Sequence, residues 1–100
     1  MPILAHMSWT VILEDENKHP IASLSEEFRT GVNLDNEAFR MLRYLDPYGN
    51  TTFNRLQQQE LLTDLRLLRE LEPRPVVDEL ITLLTQSQEQ VHTYVCFYGD

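Results

Sequence analysis

The stretch Val91-His92-Thr93-Tyr94-Val95-Cys96-Phe97-Tyr98 decides the fold. Its alternating sets are both apolar: Val91, Val95 and Phe97 on one side, Tyr94, Cys96 and Tyr98 on the other. β-branched and aromatic residues in this density favour a strand. A strand apolar on both faces belongs in the middle of a sheet, and this one returns to pair beside the first strand. The first is Trp9 to Leu13, where Trp9, Val11 and Leu13 fall on one face and Thr10 and Ile12 on the other. After the polar run Glu14-Asp15-Glu16-Asn17-Lys18-His19, Pro20 suits the start of an edge strand from Ile21 to Leu24. These two runs form a β-hairpin with a longer loop. Ser25 to Asn33 reads as irregular, with a turn at Gly31.

Helices fill the middle of the chain. Leu34 to Leu45 has the spacing of a short helix through Ala38, Leu42 and Leu45, with Asn33 or Asp35 as its cap. Asp46-Pro47-Tyr48-Gly49-Asn50 stops it, with Gly49 free to adopt positive φ. Asn54 and Gln57 have capping-box spacing for the next helix. Leu56, Leu61, Leu62, Leu65, Leu68 and Leu71 supply its apolar stripe; Gln57, Gln58, Glu60, Asp64 and Arg69 mostly face water. Pro75 opens a further helix with Val76, Val77, Leu80, Ile81, Leu83 and Leu84 inward. The expected fold class is α+β, in the order ββαααβ. A small antiparallel sheet, made of the N-terminal hairpin and the C-terminal strand, packs against two or three helices.

Length and charge bound the rest. One hundred residues at 42% hydrophobic content support a single core, and the expected domain runs over residues 7–100. His6-Met7 matches the scar of a common cloning site, so residues 1–6 read as a vector-derived leader or an alternative start. Sixteen acidic against eight basic residues give a net charge of −8, which repels nucleic-acid phosphates and anionic lipid. It attracts basic proteins and also keeps a small protein in solution. Cys96 is the lone cysteine, so no internal disulfide forms and a cytoplasmic setting is expected. No apolar run reaches the ~20 residues of a membrane span.

Catalytic and metal patterns are missing from the sequence. His6, His19 and His92 are scattered without ligand spacing, and the serines lack nucleophile-elbow glycines. Three glycines build no phosphate loop. Cys96 falls in a buried strand, where a cysteine acts as a small hydrophobe. The expectation is no enzyme, no cofactor and no metal. The acidic clusters Glu14-Asp15-Glu16, Glu26-Glu27, Glu70 with Glu72, and Asp78-Glu79 read as solvated carboxylates. The first two are also where a surface for a basic partner would lie.

The densest local signal is Arg43-Tyr44-Leu45-Asp46-Pro47-Tyr48-Gly49-Asn50-Thr51-Thr52-Phe53-Asn54. It resembles a group of small bacterial proteins carrying Arg-Tyr-x-Asp-Pro-Tyr-Gly-Asp/Asn-Thr-x-Phe-Asn between a hairpin and paired helices, over about half of this chain. No settled activity comes with the resemblance; an immunity-type role is the expectation attached to it. The stretch itself reads first as a helix-to-helix connection, with Asp46 capping the turn, Phe53 in the core and Asn54 capping the helix. Its functional reading is a recognition loop in which Tyr48, Asn50 and Arg55 touch a partner. The working expectation is a cytoplasmic protein-binding module that neutralises a basic bacterial toxin domain. The rival is a structural or homo-oligomeric subunit without inhibitory activity. Candidate partner-binding residues are Glu14, Asp15, Glu16, Glu26, Glu27, Tyr48, Asn50 and Arg55.

Overall fold

A computed structural model describes residues 8–90 and 92–99. The expected leader at 1–6 and Val91, the first residue of the expected C-terminal strand, lie outside the described residues. The hairpin forms as the pattern demands: β1 (Ser8–Asp15) pairs antiparallel with β2 (Pro20–Ser23), Leu13 opposite Ala22. Lys18 takes a left-handed conformation in the turn (φ 66°), and Asp15 Oδ1 accepts from the amides of Asn17 and His19. A two-residue strand β3 (Phe28–Arg29) follows on the same edge, with Phe28 opposite Trp9. This adds a short pairing within a segment expected to be irregular.

The largest departure lies at residues 34–45. No α-helix forms there; the segment is a series of turns ending in a single 3₁₀ turn, Leu42–Tyr44. Of the expected helical face only Leu42 is buried; Ala38 is exposed and Leu45 half-buried, while Leu34 and Phe39 enter the core beside Leu42. The backbone differs too. Asp64, expected to face water, is buried, and its carboxylate accepts from three consecutive amides: Arg40 at 3.0 Å, Met41 at 2.6 Å and Leu42 at 3.0 Å. Asn33 and Asn36 take the amides of Asp35 and Ala38. Such local and long-range acceptors satisfy the donors that a helix would have used, so the helix is not needed.

The second departure is the Asp46–Asn54 stretch. It is not a connection between helices but a turn followed by an edge strand, β4 (Asn50–Phe53). The Asp46 carboxylate accepts from the amide of Tyr48, so the expected turn is present. Gly49 is not at positive φ, contrary to expectation. A side chain there would instead meet Asp46 Oδ2 at 2.7 Å. The turn is tied to the sheet by the Trp9 indole donating to Asp46 O (2.9 Å) and by Gly99 N donating to Gly49 O (2.8 Å).

Helix α1 (Arg55–Leu71) opens with the expected reciprocal cap: Asn54 Oδ1 accepts from Gln57 N, and Gln57 Oε1 from Asn54 N. Its buried face is Gln58, Leu61, Leu62, Asp64, Leu65 and Leu68. Leu56 precedes Gln58 by two positions, about 200° around the helix, and faces solvent instead of joining the stripe. Helix α2 (Pro75–Ser87) starts on Pro75 and buries Val76, Val77, Leu80, Leu83 and Leu84. The last strand, β5 (Thr93–Tyr98), lies between β1 and β4, with Thr10 opposite Tyr98 and Phe53 opposite Val95. The order β2-β1-β5-β4 confirms β5 as an interior strand and the α+β class, with two helices on one face of an antiparallel sheet.

Gln58, also expected to face water, is a buried junction. Its Nε2 donates to the carbonyls of Phe53 (3.2 Å) and Thr93 (3.3 Å), and its Oε1 accepts from the Ser87 hydroxyl (2.5 Å). One amide thus joins β4, β5 and α2.

Two substitutions check this account by denaturant unfolding. Asp64→Ala leaves three amides of the 40–42 segment without an acceptor and is expected to cost about 3 kcal/mol. A loss below about 1 kcal/mol would show that water replaces the carboxylate. Gly99→Ala would bring its Cβ to 2.6 Å from the backbone oxygens of Asp46 and Pro47. Backbone yields poorly, so a loss of about 1 kcal/mol or more is expected, and an unchanged midpoint would contradict the close approach.

Candidate functional site: the open face of the sheet

Alternation along three strands sorts the side chains. Trp9, Val11, Leu13, Phe53, Val95 and Phe97 face the helices and form the core. The opposite face carries Thr10, Ile12 and Glu14 from β1, Asn50 and Thr52 from β4, and Tyr94, Cys96 and Tyr98 from β5. No element covers this face among the described residues, yet Glu14 is only 6% exposed and Cys96 2%. The burial comes from neighbours in the face itself.

Glu14 was expected to be a solvated hairpin acid. The register places it opposite Tyr94, at the β1 end beside the hairpin turn, and its side chain lies back along the sheet. Its Oε1 accepts from the Cys96 thiol at 3.1 Å and its Oε2 from the Tyr98 hydroxyl at 2.5 Å. The Thr52 hydroxyl sits 3.3 Å from Cys96 Sγ. Carboxylate, thiol, phenol and hydroxyl therefore form one connected network across β1, β5 and β4. Burial pushes the Cys96 thiol up; the Thr52 hydroxyl works against this, and the hydrogen bond to Glu14 adds to it. The bond to Glu14, then burial and the neighbouring thiol, push the Tyr98 phenol well above its ordinary value. Both groups stay protonated at neutral pH, and a protonated, buried thiol is a poor nucleophile.

Beside this network is a cavity of about 200 Å³ lined by Glu14, Asp15, Glu16, Lys18, Thr52, Tyr94 and Cys96. Tyr94 is also a wall of an adjoining depression of about 220 Å³, with Asn54, Arg55, Leu56, His92 and Thr93 on its other sides. Glu16 bridges the two, its carboxylate 3.6 Å from His92 Nδ1. Arg55 reaches across the helix ends to donate to Gln88 O at 2.6 Å. Glu14, Asp15, Glu16 and Arg55 are therefore brought together around Tyr94.

The other candidates lie elsewhere. Glu26 and Glu27 precede β3, at the far end of β1, in a separate depression with Arg29, Arg74 and Pro75; Glu27 pairs with Arg29 at 3.6 Å. Their charge is offset by arginine and does not extend the hairpin acids. Tyr48 projects from the turn before β4, and Asn50 sits opposite Tyr98 on the open face. Thr52, Lys18 and Cys96 were not among the candidates. Only the alternation of β5 hinted at Cys96, and no sequence signal gave the register that brings Thr52 beside it. Among the described residues no cluster of three or more His, Cys, Asp and Glu side chains is arranged to hold a metal, and no helix is long and apolar enough to cross a membrane.

No protein-family model, curated protein or solved structure matches this chain.

The Glu14–Tyr98 bond gives a pH signature. A phenol whose folded value is raised contributes stability that is complete below its unfolded value of 10.0 and is lost as pH rises from there through the folded value. Tyr98→Phe should therefore be less stable than wild type at pH 7, by about 1.5 kcal/mol for a bond to a carboxylate. The gap should narrow above pH 10, as unfolding midpoints against pH would show. A constant gap across that range would mean that Tyr98 contributes through packing alone.

Proposed function

We propose that this chain is a protein-binding module that docks a basic protein on the open face of its sheet. In its most concrete form it is an immunity-type inhibitor of a basic bacterial toxin domain, acting in the cytoplasm. One observation carries the reading: an uncovered sheet face presents Tyr94 and Tyr98 beside a cavity rimmed by Glu14, Asp15 and Glu16. Tyrosines with an apolar body and a polar tip are efficient anchors, and a rim of one charge sign steers a partner of the other. The chain's net charge of −8 acts in the same direction over longer range and disfavours nucleic acid.

A binding role without catalysis is supported by the state of the one thiol. Cys96 donates to Glu14, and its upward shift removes the thiolate that nucleophilic chemistry requires. Glu14 itself is occupied by two donors from within the chain, so its role is to hold the face rigid. Steering then falls to the more exposed Asp15 and Glu16.

Asp15→Asn with Glu16→Gln tests this. Asparagine keeps an acceptor for the turn amides, so the unfolding midpoint should barely move. The partner is isolated from the native host with the tagged chain as bait. Stopped-flow association with the purified partner should slow several-fold at low salt, and the difference should vanish as salt shortens the screening length to about 8 Å and below. Equal rates at low salt would remove the hairpin acids from the binding face.

A further inference from the structure

We propose that β4 is a self-pairing edge, through which two copies of the chain join their sheets antiparallel. The sheet has two outer strands, β2 and β4, and they are not alike. β2 begins at Pro20, which cannot donate to a neighbour, and its register against β1 shifts at Leu13/Glu14. Both are devices that discourage further pairing. β4 has neither: Asn50-Thr51-Thr52-Phe53 is regular, lacks proline and carries no charge.

The hydrogen-bond phase shows which groups of β4 are free. Gly99 N donates to Gly49 O, so Gly49 and Gly99 are a bonded pair. With Asn50 opposite Tyr98 and Thr52 opposite Cys96, the bonded positions facing β5 are then Gly49, Thr51 and Phe53. The N–H and C=O of Asn50 and Thr52 point away from the sheet. No protein group among the described residues takes them. An added strand can bond to all four.

A second copy is the occupant that the flanking residues fit. Asp46 and Arg55 are the first charges on either side of the uncharged stretch Pro47–Asn54. Tyr48 at 83% and Leu56 at 74% are the most exposed large apolar side chains among the described residues, and they too lie at opposite ends of β4. An antiparallel pairing centred on Thr51 sets Asn50 opposite Thr52 of the second copy. It brings the Asp46–Tyr48 end of each strand to the Arg55–Leu56 end of the other. Unlike charges meet twice, and both exposed apolar residues gain a neighbour. A parallel pairing, or a charged foreign strand, satisfies neither. The net charge of −8 on each copy opposes association, but the joined segments are neutral and screening limits repulsion from more distant acids. Pairing at the edge extends the sheet sideways and leaves the Glu14, Cys96 and Tyr98 row uncovered; Arg55 and Leu56 also wall the depression beside Tyr94, so self-association is measured with no basic partner present.

Sedimentation equilibrium of the full chain provides the test. The apparent mass should rise from 11.8 kDa toward twice that value as concentration approaches ~0.5 mM, where even a weak dimer is populated. Thr52→Pro removes an outward donor and keeps the backbone ladder to β5, though it also deletes the hydroxyl beside Cys96 Sγ. Tyr48→Glu with Leu56→Glu sets carboxylates against each other at both ends of the junction while changing only exposed positions. Circular dichroism and the unfolding midpoint establish which variants remain folded. Each folded variant should weaken the dimer at least about tenfold, or about 1.4 kcal/mol. Should Thr52→Pro not fold, the double variant alone decides. A wild type that stays monomeric to ~0.5 mM, or smaller effects in every folded variant, would overturn the proposal.

Discussion

Strand β5 must hydrogen-bond on both edges while burying Val95 and Phe97 toward the helices, and the rest of the structure follows from that double demand. β1 satisfies one edge from Thr10 to Asp15, and β4 satisfies the other. Phe97 then becomes the centre of an aromatic row. Phe28 and Phe53 each meet it edge-on at 5.7 Å, and Trp9 lies 5.9 Å from Phe28. This places β3 and β4, distant in sequence, on either side of one ring. Gly99 continues the strand past Tyr98 into a contact that admits no side chain, fixing the Asp46–Gly49 turn against the end of the sheet.

Two acids do opposite kinds of work around this frame. Asp64 sends its carboxylate from α1 to the backbone of a segment with no regular structure, so that a turn-rich stretch can sit against the core with its donors satisfied. Glu14 sends its carboxylate across the bare face to two side chains, tying β1 to β5 without a covering layer. Either arrangement converts a costly buried charge into a cross-link, because several donors replace the lost water. The sheet's open face stays ordered for the same reason: its central row is a closed hydrogen-bond network with aromatic flanks.

Periodicity revealed the elements whose burial is one-sided or complete. The alternation of Trp9, Val11 and Leu13, the stripe from Leu61 to Leu68, the proline start of α2 and the doubly apolar β5 each state their environment in local sequence. Residues 34–45 misled because Leu34, Phe39 and Leu42 reach the core from a packed series of turns, leaving Ala38 exposed; the deciding group, Asp64, lies more than twenty residues from the amides it accepts. β4 was hidden by brevity and by turn-forming neighbours, since four residues of mixed polarity between Gly49 and Asn54 read equally well as loop. Glu14 reads as solvent-exposed because it adjoins Asp15 and Glu16, which are. Its acceptor role depends on Cys96 and Tyr98, more than eighty positions away, and on a register that no single strand encodes. The hairpin acids and Arg55 of the candidate site were therefore legible, while the network joining Glu14 to Cys96 and Tyr98 was not.

The open face and the β4 edge differ in chemistry, although Thr52, Arg55 and Leu56 adjoin both. The face offers Tyr94 and carboxylates at the hairpin end of β1 and β5, where the field is negative and a basic partner is favoured. The edge offers unpaired amides and carbonyls in a neutral segment, where backbone geometry decides and charge enters only at its two ends. Edge pairing of the kind proposed would run the two faces into one surface, with an acidic cavity on either side of the junction. A partner presenting two basic sites at matching separation would then bind with the advantage of a tethered second contact, whose strength depends on geometry and not on any new residue. Pairing at the edge would thus set the valency of the face through backbone groups of β4 that point away from the cavity which Thr52 helps to line.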